Sequence, residues 1–218
     1  PTLTKQAFNG TTVTAFILMD NVTYIGAGNF TKTESVSAPL SSVQTIETSA
    51  FKGTTFTTDI SIPTGAAIGS NAFENAKLKN VSYNAETASY AVFKGATMDS
   101  LTLGDSTTEI AANAFQKSKI GGDVLKLGKV ETIEKYAFSE AQLPATVIIP
   151  ETATDYNNHV FYGTTGGKTL LVYGSYNMVP TALTHDSEFE TVVITADIVN
   201  NDNVIYGDNQ NAHNRLTS

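Results

Sequence analysis

One stretch of chain decides the fold, and it reads Leu101-Thr102-Leu103-Gly104-Asp105-Ser106-Thr107-Thr108-Glu109-Ile110-Ala111-Ala112-Asn113-Ala114-Phe115. It begins with two apolar residues separated by one polar residue, which is the period of a short strand with one buried face. After a turn at the glycine, the last isoleucine, alanine and phenylalanine are spaced to share one face of a helical or 3-10 turn. The stretch therefore predicts a unit of strand, turn and short helical turn.

The unit recurs along the chain. Eight phenylalanines mark it, with successive gaps of 22, 21, 22, 20, 22, 23 and 23 residues, at Phe8, Phe30, Phe51, Phe73, Phe93, Phe115, Phe138 and Phe161. An apolar residue stands five positions after most markers, at Val13, Phe56, Leu78, Met98, Ile120 and Leu143. Because one unit cannot bury its apolar face alone, the units are expected to stack, phenylalanine on phenylalanine, around a continuous core.

Pairs of apolar residues one position apart predict the strands. They are Phe16/Leu18, Ile60/Ile62, Val81/Tyr83, Leu101/Leu103, Leu125/Leu127, Val147/Ile149 and Leu170/Val172. Strands of successive units would pair in parallel, with these residues inward and the intervening residues outward. The predicted fold class is an α/β repeat: a solenoid with a parallel sheet of short strands on one side and short helical or 3-10 turns on the other.

The unit resembles the BspA-like (Treponema pallidum-type) leucine-rich repeat, whose pattern is close to L-x-x-I-x-I-P-x-x-V-x-x-I-G-x-x-A-F. The stretch quoted above carries the resemblance best, together with Ile60-Ser61-Ile62-Pro63 through Ile68-Gly69-Ser70-Asn71-Ala72-Phe73. It covers about Ala7 to Phe161. The resemblance implies a bacterial or protozoal surface or secreted protein, of a family in which some members are adhesins for host matrix proteins or other microbes. It implies no catalytic residues.

The repeats are predicted to occupy residues 1–161, at about 22 residues each. Residues 162–218 are predicted to hold divergent repeats, with strands near Leu170–Tyr173 and Thr191–Ile194, and a C-terminal cap, all in one continuous structural domain. The pattern also departs from itself at Ala38-Pro39-Leu40, where a strand is expected. The Asn/Asp-rich end, Asn200 to Asn214, has no periodicity and is predicted to be a loop or tail.

Composition excludes several classes of function. The chain has 13 Lys+Arg against 21 Asp+Glu, a formal net charge of -8, and no cysteine. An acidic chain without a basic stripe is not expected to bind nucleic acid or anionic membranes, and the absence of cysteine removes disulfides and thiolate ligands. No apolar run is long enough to predict membrane insertion. Because the chain starts at Pro1, we interpret it as a mature or trimmed form. The resemblance implies that it is extracellular or at a bacterial surface.

Residues suited to catalysis or metal binding do not form a recognisable motif. The histidines His159, His185 and His213 are far apart in sequence, and the adjacent residues His185-Asp186-Ser187 cannot assemble a hydrolase triad. The run Asn200–Asn203 lacks the spaced carboxylates of a calcium loop. We therefore predict no catalytic site, no metal and no cofactor.

Four tripeptides match the acceptor pattern for N-linked glycosylation, beginning at Asn9, Asn21, Asn29 and Asn80. They would matter in a eukaryotic secretory pathway. In a Thr-rich bacterial protein such tripeptides arise by chance, and this is the interpretation that the composition favours.

The outward strand positions give the candidate site. They are polar in the middle units, as at Ser61, Ser82 and Thr102, whereas Ile148, Leu171 and Val193 in the later units are spaced by 23 and 22 residues. Aliphatic neighbours on an outer face suggest a contact surface. The candidate partner surface is Thr102, Lys126, Ile148, Leu171, Tyr173, Tyr176 and Val193. In the competing interpretation, the terminal segment folds back and covers this surface as part of the cap.

These features predict a non-catalytic surface or secreted binding protein that adheres to host or matrix protein through the sheet face. Protein or extracellular matrix is the expected partner. One alternative is a glycan-binding or glycan-acquisition accessory protein, which in a chain without Trp would need an exposed Tyr pair flanked by Asn or Asp. A second alternative is a structural spacer that presents another domain.

Overall fold

A computed structural model describes residues 1–5, 7–8, 14–157, 159–173 and 187–194. Its strands are β1 (Thr2–Leu3), β2 (Ala15–Ile17), β3 (Tyr24–Ile25), β4 (Ser35–Ser37), β5 (Thr45–Ile46), β6 (Ile60–Ile62), β7 (Ala67–Ile68), β8 (Lys77–Tyr83), β9 (Thr87–Ala88), β10 (Thr97–Leu103), β11 (Glu109–Ile110), β12 (Lys119–Ile120), β13 (Val124–Lys126), β14 (Thr132–Ile133), β15 (Thr146–Ile149), β16 (Asp155–Tyr156), β17 (Thr169–Val172) and β18 (Thr191–Ile194).

The strands pair in parallel between equivalent positions of successive repeats, so that each repeat forms one coil of a solenoid. The turn-side sheets, ordered β1-β3-β5-β7 and β9-β11-β14-β16, contain the strands that precede each marker phenylalanine. Across the coil lie the N-half sheet, β12-β10-β8-β6, and the C-half sheet, β13-β15-β17-β18. Strands β2 and β4 form a fifth, two-stranded sheet. The predicted parallel solenoid is confirmed, although its strands lie on more than one side of the coil.

The marker phenylalanines form a stack along the axis of the solenoid. From Phe30 to Phe161, successive ring centroids lie 5.0 to 5.4 Å apart, and the ring planes differ by only 5° to 18°. All of these rings are fully buried. Large aromatic side chains in stacked contact contribute strongly to a core, so this column is a major part of the packing. The predicted stacking is confirmed.

The predicted helical or 3-10 turns are absent from the described residues, which corrects the fold class from α/β to all-β. From Phe30 onward, the backbone around each marker is left-handed at two places, for example at Asn71 and Asn75 on either side of Phe73, with φ of 58° and 56°. Lys117 and Asn113 repeat this around Phe115, with φ of 59° and 58°. A right-handed helix needs an unbroken run of negative φ, so these residues end it before one turn closes.

Backbone hydrogen bonds show what replaces the helix. The Ala72 N–H donates to the Gly69 carbonyl at 3.3 Å, which closes a β-turn within the coil. The next N–H, of Phe73, donates instead to the Val92 carbonyl of the following coil at 2.9 Å. Amides along this segment thus alternate between turn and inter-coil bonds. The spacing of isoleucine, alanine and phenylalanine therefore results from consecutive β-turns and not from one face of a helix.

The first coils differ from the prediction in register. Phe16 pairs with Val36, and Val36 forms a bridge with Phe56, so all three occupy one column of equivalent positions. The prediction that Phe16 and Leu18 form an inward strand pair, in the column that follows this one, is wrong. The reason is that the first coils carry extra residues between the marker and this column. Val13, which we placed in the column, lies outside the described residues.

Ala38-Pro39-Leu40 forms no strand, as expected where a proline cannot donate to a ladder. Ala38 and Leu40 are nevertheless buried in the core, and the Pro39 carbonyl accepts the Ser61 N–H at 2.8 Å. The two terminal strands that the sequence predicts are present as β17 and β18. The tail predicted from Asn200 to Asn214 lies outside the described residues, and the C-terminal cap stays a prediction.

Candidate partner-binding surface

The outward positions of the C-half sheet form one straight column. Lys126 pairs with Ile148, Ile148 with Leu171, and Leu171 with Val193. Neighbouring strands lie about 4.7–4.9 Å apart, so these side chains stand next to one another on the surface. The predicted adjacency of the three aliphatic residues is confirmed.

We call the column of Lys126, Ile148, Leu171 and Val193 the aliphatic column, and the described residues cover it only partly. The side chain of Val193 is 39% exposed, while those of Ile148 and Leu171 are half-buried. Beside it runs a second outward column, which is Val124, Thr146, Thr169 and Thr191. We call the two columns the aliphatic face. Lys126, at one margin, is the charged residue within these columns, so the face is a largely uncharged patch of methyl groups and hydroxyls.

The core holds the aliphatic face in place. The inward residues of β13, β15 and β17 have essentially no exposed surface: Leu125, Val147, Ile149, Leu170 and Val172. A strand that is buried on one face and hydrogen-bonded on its edges has little freedom to move. The outward side chains are therefore presented on a rigid base, as a pre-organised binding surface requires.

The outward side of the N-half sheet has a different chemistry. It forms a shallow open groove of about 360 Å³ lined by Pro39, Ser41, Asp59, Ile60, Ser61, Asn80, Val81, Ser82, Ser100 and Thr102. Across it, the Asn80 Nδ2 donates to Asp59 Oδ1 at 3.0 Å, and the Ser100 hydroxyl donates to the Asn80 Oδ1 at 2.7 Å. These polar groups satisfy one another, so this groove is a solvated surface.

Two glycines separate the halves. Met98 and Leu101 are three positions apart, whereas the equivalent Ile120 and Leu125 are five apart, with Gly121 and Gly122 between them. The extra residues displace β13 from the ladder of β10, and the two sheets share no strand. Of the candidate residues, Thr102 therefore belongs to the N-half sheet, and Lys126 is not its neighbour in a ladder.

The tyrosines of the candidate surface are only partly placed. Tyr173 follows β17 directly, its side chain is 41% exposed, and its N–H donates to the Ile149 carbonyl at 3.1 Å. It extends the C-half surface at the carboxyl ends of the strands. Tyr176 lies outside the described residues.

Sequence reasoning missed an aromatic cluster on the turn side. Tyr136 stacks on His159 with ring centroids 5.2 Å apart, and His159 meets Tyr162 edge-on at 5.6 Å. Both tyrosines are exposed. The signal was available, because Tyr136 and His159 both stand two positions before a marker phenylalanine. Neither position belongs to the apolar columns that define the repeat.

The geometry offers no recognisable catalytic or metal chemistry in the part of the chain that the structure describes. No group of three or more His, Asp or Glu residues there could hold a metal ion. Two titrating groups bond to each other: the Tyr24 hydroxyl donates to Glu47, which raises the tyrosine pKa and lowers the glutamate pKa. Burial raises the pKa of Tyr83, which is part of the core. His185 and Asp186 lie outside the described residues.

The described residues also contain no helix long and apolar enough to cross a membrane.

Comparison with known proteins identifies the repeat. The pattern of the BspA type leucine rich repeat region, in six copies, matches residues 1–121 and 123–203. No curated protein and no solved structure matches the chain. Leucine-rich repeats of this kind are generally non-catalytic scaffolds for protein interaction, and the family is typically surface-associated in bacteria. Since the match spans most of the sequence and the stacked coils agree with it, the chain belongs to the BspA type leucine-rich-repeat family.

Proposed function

We propose that this chain is a non-catalytic surface or secreted binding protein that adheres to host or matrix protein through the aliphatic face. The observation that supports the proposal most is the alignment of Ile148, Leu171 and Val193 on adjacent strands of a rigid sheet. Apolar groups on an outer face cost about 25 cal/mol of free energy per Å² when they are exposed to water rather than buried. A partner that covers them recovers this free energy.

The composition of the face favours protein as the partner. Protein interfaces have aliphatic and aromatic centres with few charges, and a small number of central residues supply most of the binding energy. Leu171 lies at the centre of the aliphatic column, between Ile148 and Val193. We therefore assign it the role of anchor, with Tyr173 and the threonine hydroxyls at the margin.

A glycan partner has less support. Sugar rings bind to the open faces of aromatic side chains, but the Tyr136 ring already stacks on His159, with an angle of 24° between the planes. A spacer would be expected to have an evenly polar outer face. Only the N-half sheet fits that description. Both alternatives are nevertheless separate outcomes of the experiment below.

The experiment compares Leu171→Asp with Thr102→Asp, which places the same charge on the outer face of the N-half sheet. The purified chains are screened against immobilised extracellular-matrix proteins and a glycan array at physiological salt. We expect saturable binding to a matrix protein that Leu171→Asp weakens at least 30-fold, since loss of an anchor costs about 2 kcal/mol or more. Thr102→Asp should bind like the unmodified chain.

Circular dichroism and urea unfolding of both variants accompany the screen. If Leu171→Asp fails to fold, the aliphatic column is covered by the chain itself, and the predicted C-terminal cap replaces the interface. Val193→Asp, at the more exposed end of the column, then repeats the binding comparison. Binding to glycans alone would move the function to carbohydrate capture, and binding to neither class would favour a spacer.

A further inference from the structure

In one of the four glycosylation-type tripeptides, Asn29-Phe30-Thr31, the acceptor asparagine lies inside the solenoid. The side chain of Asn29 is only 4% exposed and stands directly before the buried ring of Phe30. In the next two coils the residue before the marker is alanine, Ala50 and Ala72, and both are fully buried. The position therefore points into the core, and here it holds an amide group.

Hydrogen bonds use the Asn29 amide completely. Its Nδ2 donates to the Thr4 carbonyl at 2.8 Å and to the Gly26 carbonyl at 3.0 Å, with the Leu3 carbonyl at 3.3 Å. Its Oδ1 accepts the Ala7 N–H at 2.6 Å. The two amide hydrogens are thus shared among three carbonyls, and no N–H bond points to solvent.

These bonds join the first coil to the second. Leu3, Thr4 and Ala7 belong to the first coil, whereas Gly26 and Asn29 precede the second marker phenylalanine. Buried backbone groups need hydrogen-bond partners, and losing one costs about 1–3 kcal/mol. Asn29 bonds to four backbone groups at once, of which the Gly26 carbonyl is buried and the others are partly buried. The amide nitrogen is therefore a structural group in the contact between the first two coils.

Resting on the surface or secreted role proposed above, we infer that this chain matures by an export route that does not N-glycosylate Asn-X-Thr tripeptides. Glycosylation would join the Asn29 Nδ2 to the anomeric carbon of an oligosaccharide, with loss of one amide proton and release of the diphosphate-lipid leaving group of the donor. The product would keep one amide hydrogen and could not donate to both the Thr4 and the Gly26 carbonyl. The oligosaccharide would also occupy the space of the first coil.

The other described acceptor sites sharpen the inference. Asn21 is an exposed turn residue, and the Asn80 side chain is exposed on the outer face of the N-half sheet. Both positions could carry a glycan without changing the core. The conflict with N-glycosylation is thus specific to Asn29 and does not apply to the repeat in general.

The test uses the full chain, expressed through the secretory pathway of a eukaryotic cell line. Thr31→Ala removes the acceptor at Asn29 and changes only an exposed side chain. Thr23→Ala is the matched control, because it removes the acceptor at Asn21. Secreted yield is measured, and mass spectrometry of secreted and retained chains gives the occupancy of each asparagine.

We expect Asn29 to be glycosylated in retained chains and not in secreted chains, and Thr31→Ala to raise the secreted yield several-fold while Thr23→Ala does not. Secreted protein with a glycan on Asn29 and an unchanged Tm would overturn the inference. It would be overturned equally if Asn29 were unmodified in both pools and Thr31→Ala were secreted like the unmodified chain, because the tripeptide would then exclude no route.

Discussion

The N-half and C-half sheets share one architecture and differ in what they present. Inward, both place aliphatic residues in the same core, as Leu101 and Leu170 illustrate. Outward, the central positions of the N-half strands are Ser61, Ser82 and Thr102, whereas those of the C-half strands beyond Lys126 are Ile148, Leu171 and Val193.

The difference shows that the fold does not demand aliphatic residues on the outer face. Coils with serine or threonine outward stack in the same register as coils with leucine or valine outward. Because the core does not determine which residues stand outward, the aliphatic residues there point to contact with a partner or with a covering segment. The C-half sheet is therefore the candidate contact surface, whereas the polar side chains in the groove of the N-half sheet bond to one another.

The largest expected effect tests whether the two halves have equivalent cores. Phe73→Ala, in a coil of the N-half sheet, and Phe138→Ala, in a coil of the C-half sheet, each remove a fully buried ring from the stack. We expect each to lower the free energy of unfolding by about 3–5 kcal/mol, because the cavity cannot close between rigid coils. Urea unfolding measures this. A loss confined to one variant would show that the cores of the two halves are not equivalent.

A smaller effect tests whether the halves differ only at the surface. Leu171→Thr gives the C-half sheet an outward residue typical of the N-half sheet, and Thr102→Leu makes the reverse exchange. Threonine suits a strand well, so we expect each variant to change the free energy of unfolding by about 1 kcal/mol or less. Thermal and urea unfolding provide the measurement. A loss above about 2 kcal/mol for Leu171→Thr alone would indicate that residues of the chain itself bury this side chain.

Much of the fold could be predicted because a stacked coil repeats its burial pattern. The marker phenylalanines and the pairing of Ile148, Leu171 and Val193 follow from spacing alone. The helical turns could not be excluded in this way, since the same spacing fits consecutive β-turns. The left-handed residues that decide between them include Asn71 and Asn113, which favour this conformation, but also Tyr136, which carries no such signal.

The candidate surface was predicted in its composition but not in its limits. Nothing in the apolar pattern indicated that Gly121 and Gly122 divide the outer face into two sheets. The polar groove could not be predicted either, because the hydrogen bonds of Asn80 to Asp59 and to Ser100 join side chains that are 21 and 20 residues apart in sequence. Contacts between coils depend on register, and register varies with each insertion.

The smallest expected effect concerns a difference between the halves on the turn side. In the N-terminal half, Glu47 accepts the Tyr24 hydroxyl and, at 2.9 Å, the Ala27 N–H of the preceding coil. The tyrosine hydrogen bond, followed by the Ala27 bond, lowers the pKa of this carboxyl below its ordinary value of 4.5. A lowered folded-state pKa contributes stability above the ordinary value, and this stability is lost as the pH falls through the folded-state pKa.

We therefore expect the Tm to fall between neutral pH and about pH 3 by slightly more in the unmodified chain than in Glu47→Gln. Glu151→Gln, which alters an exposed carboxylate, controls for the change in net charge. Thermal unfolding across this range measures the slopes. Identical acid slopes for the Glu47→Gln and unmodified chains would mean that Tyr24 and Glu47 do not hold the first coils together in solution, and that the N-terminal half relies on Asn29 and the phenylalanine stack.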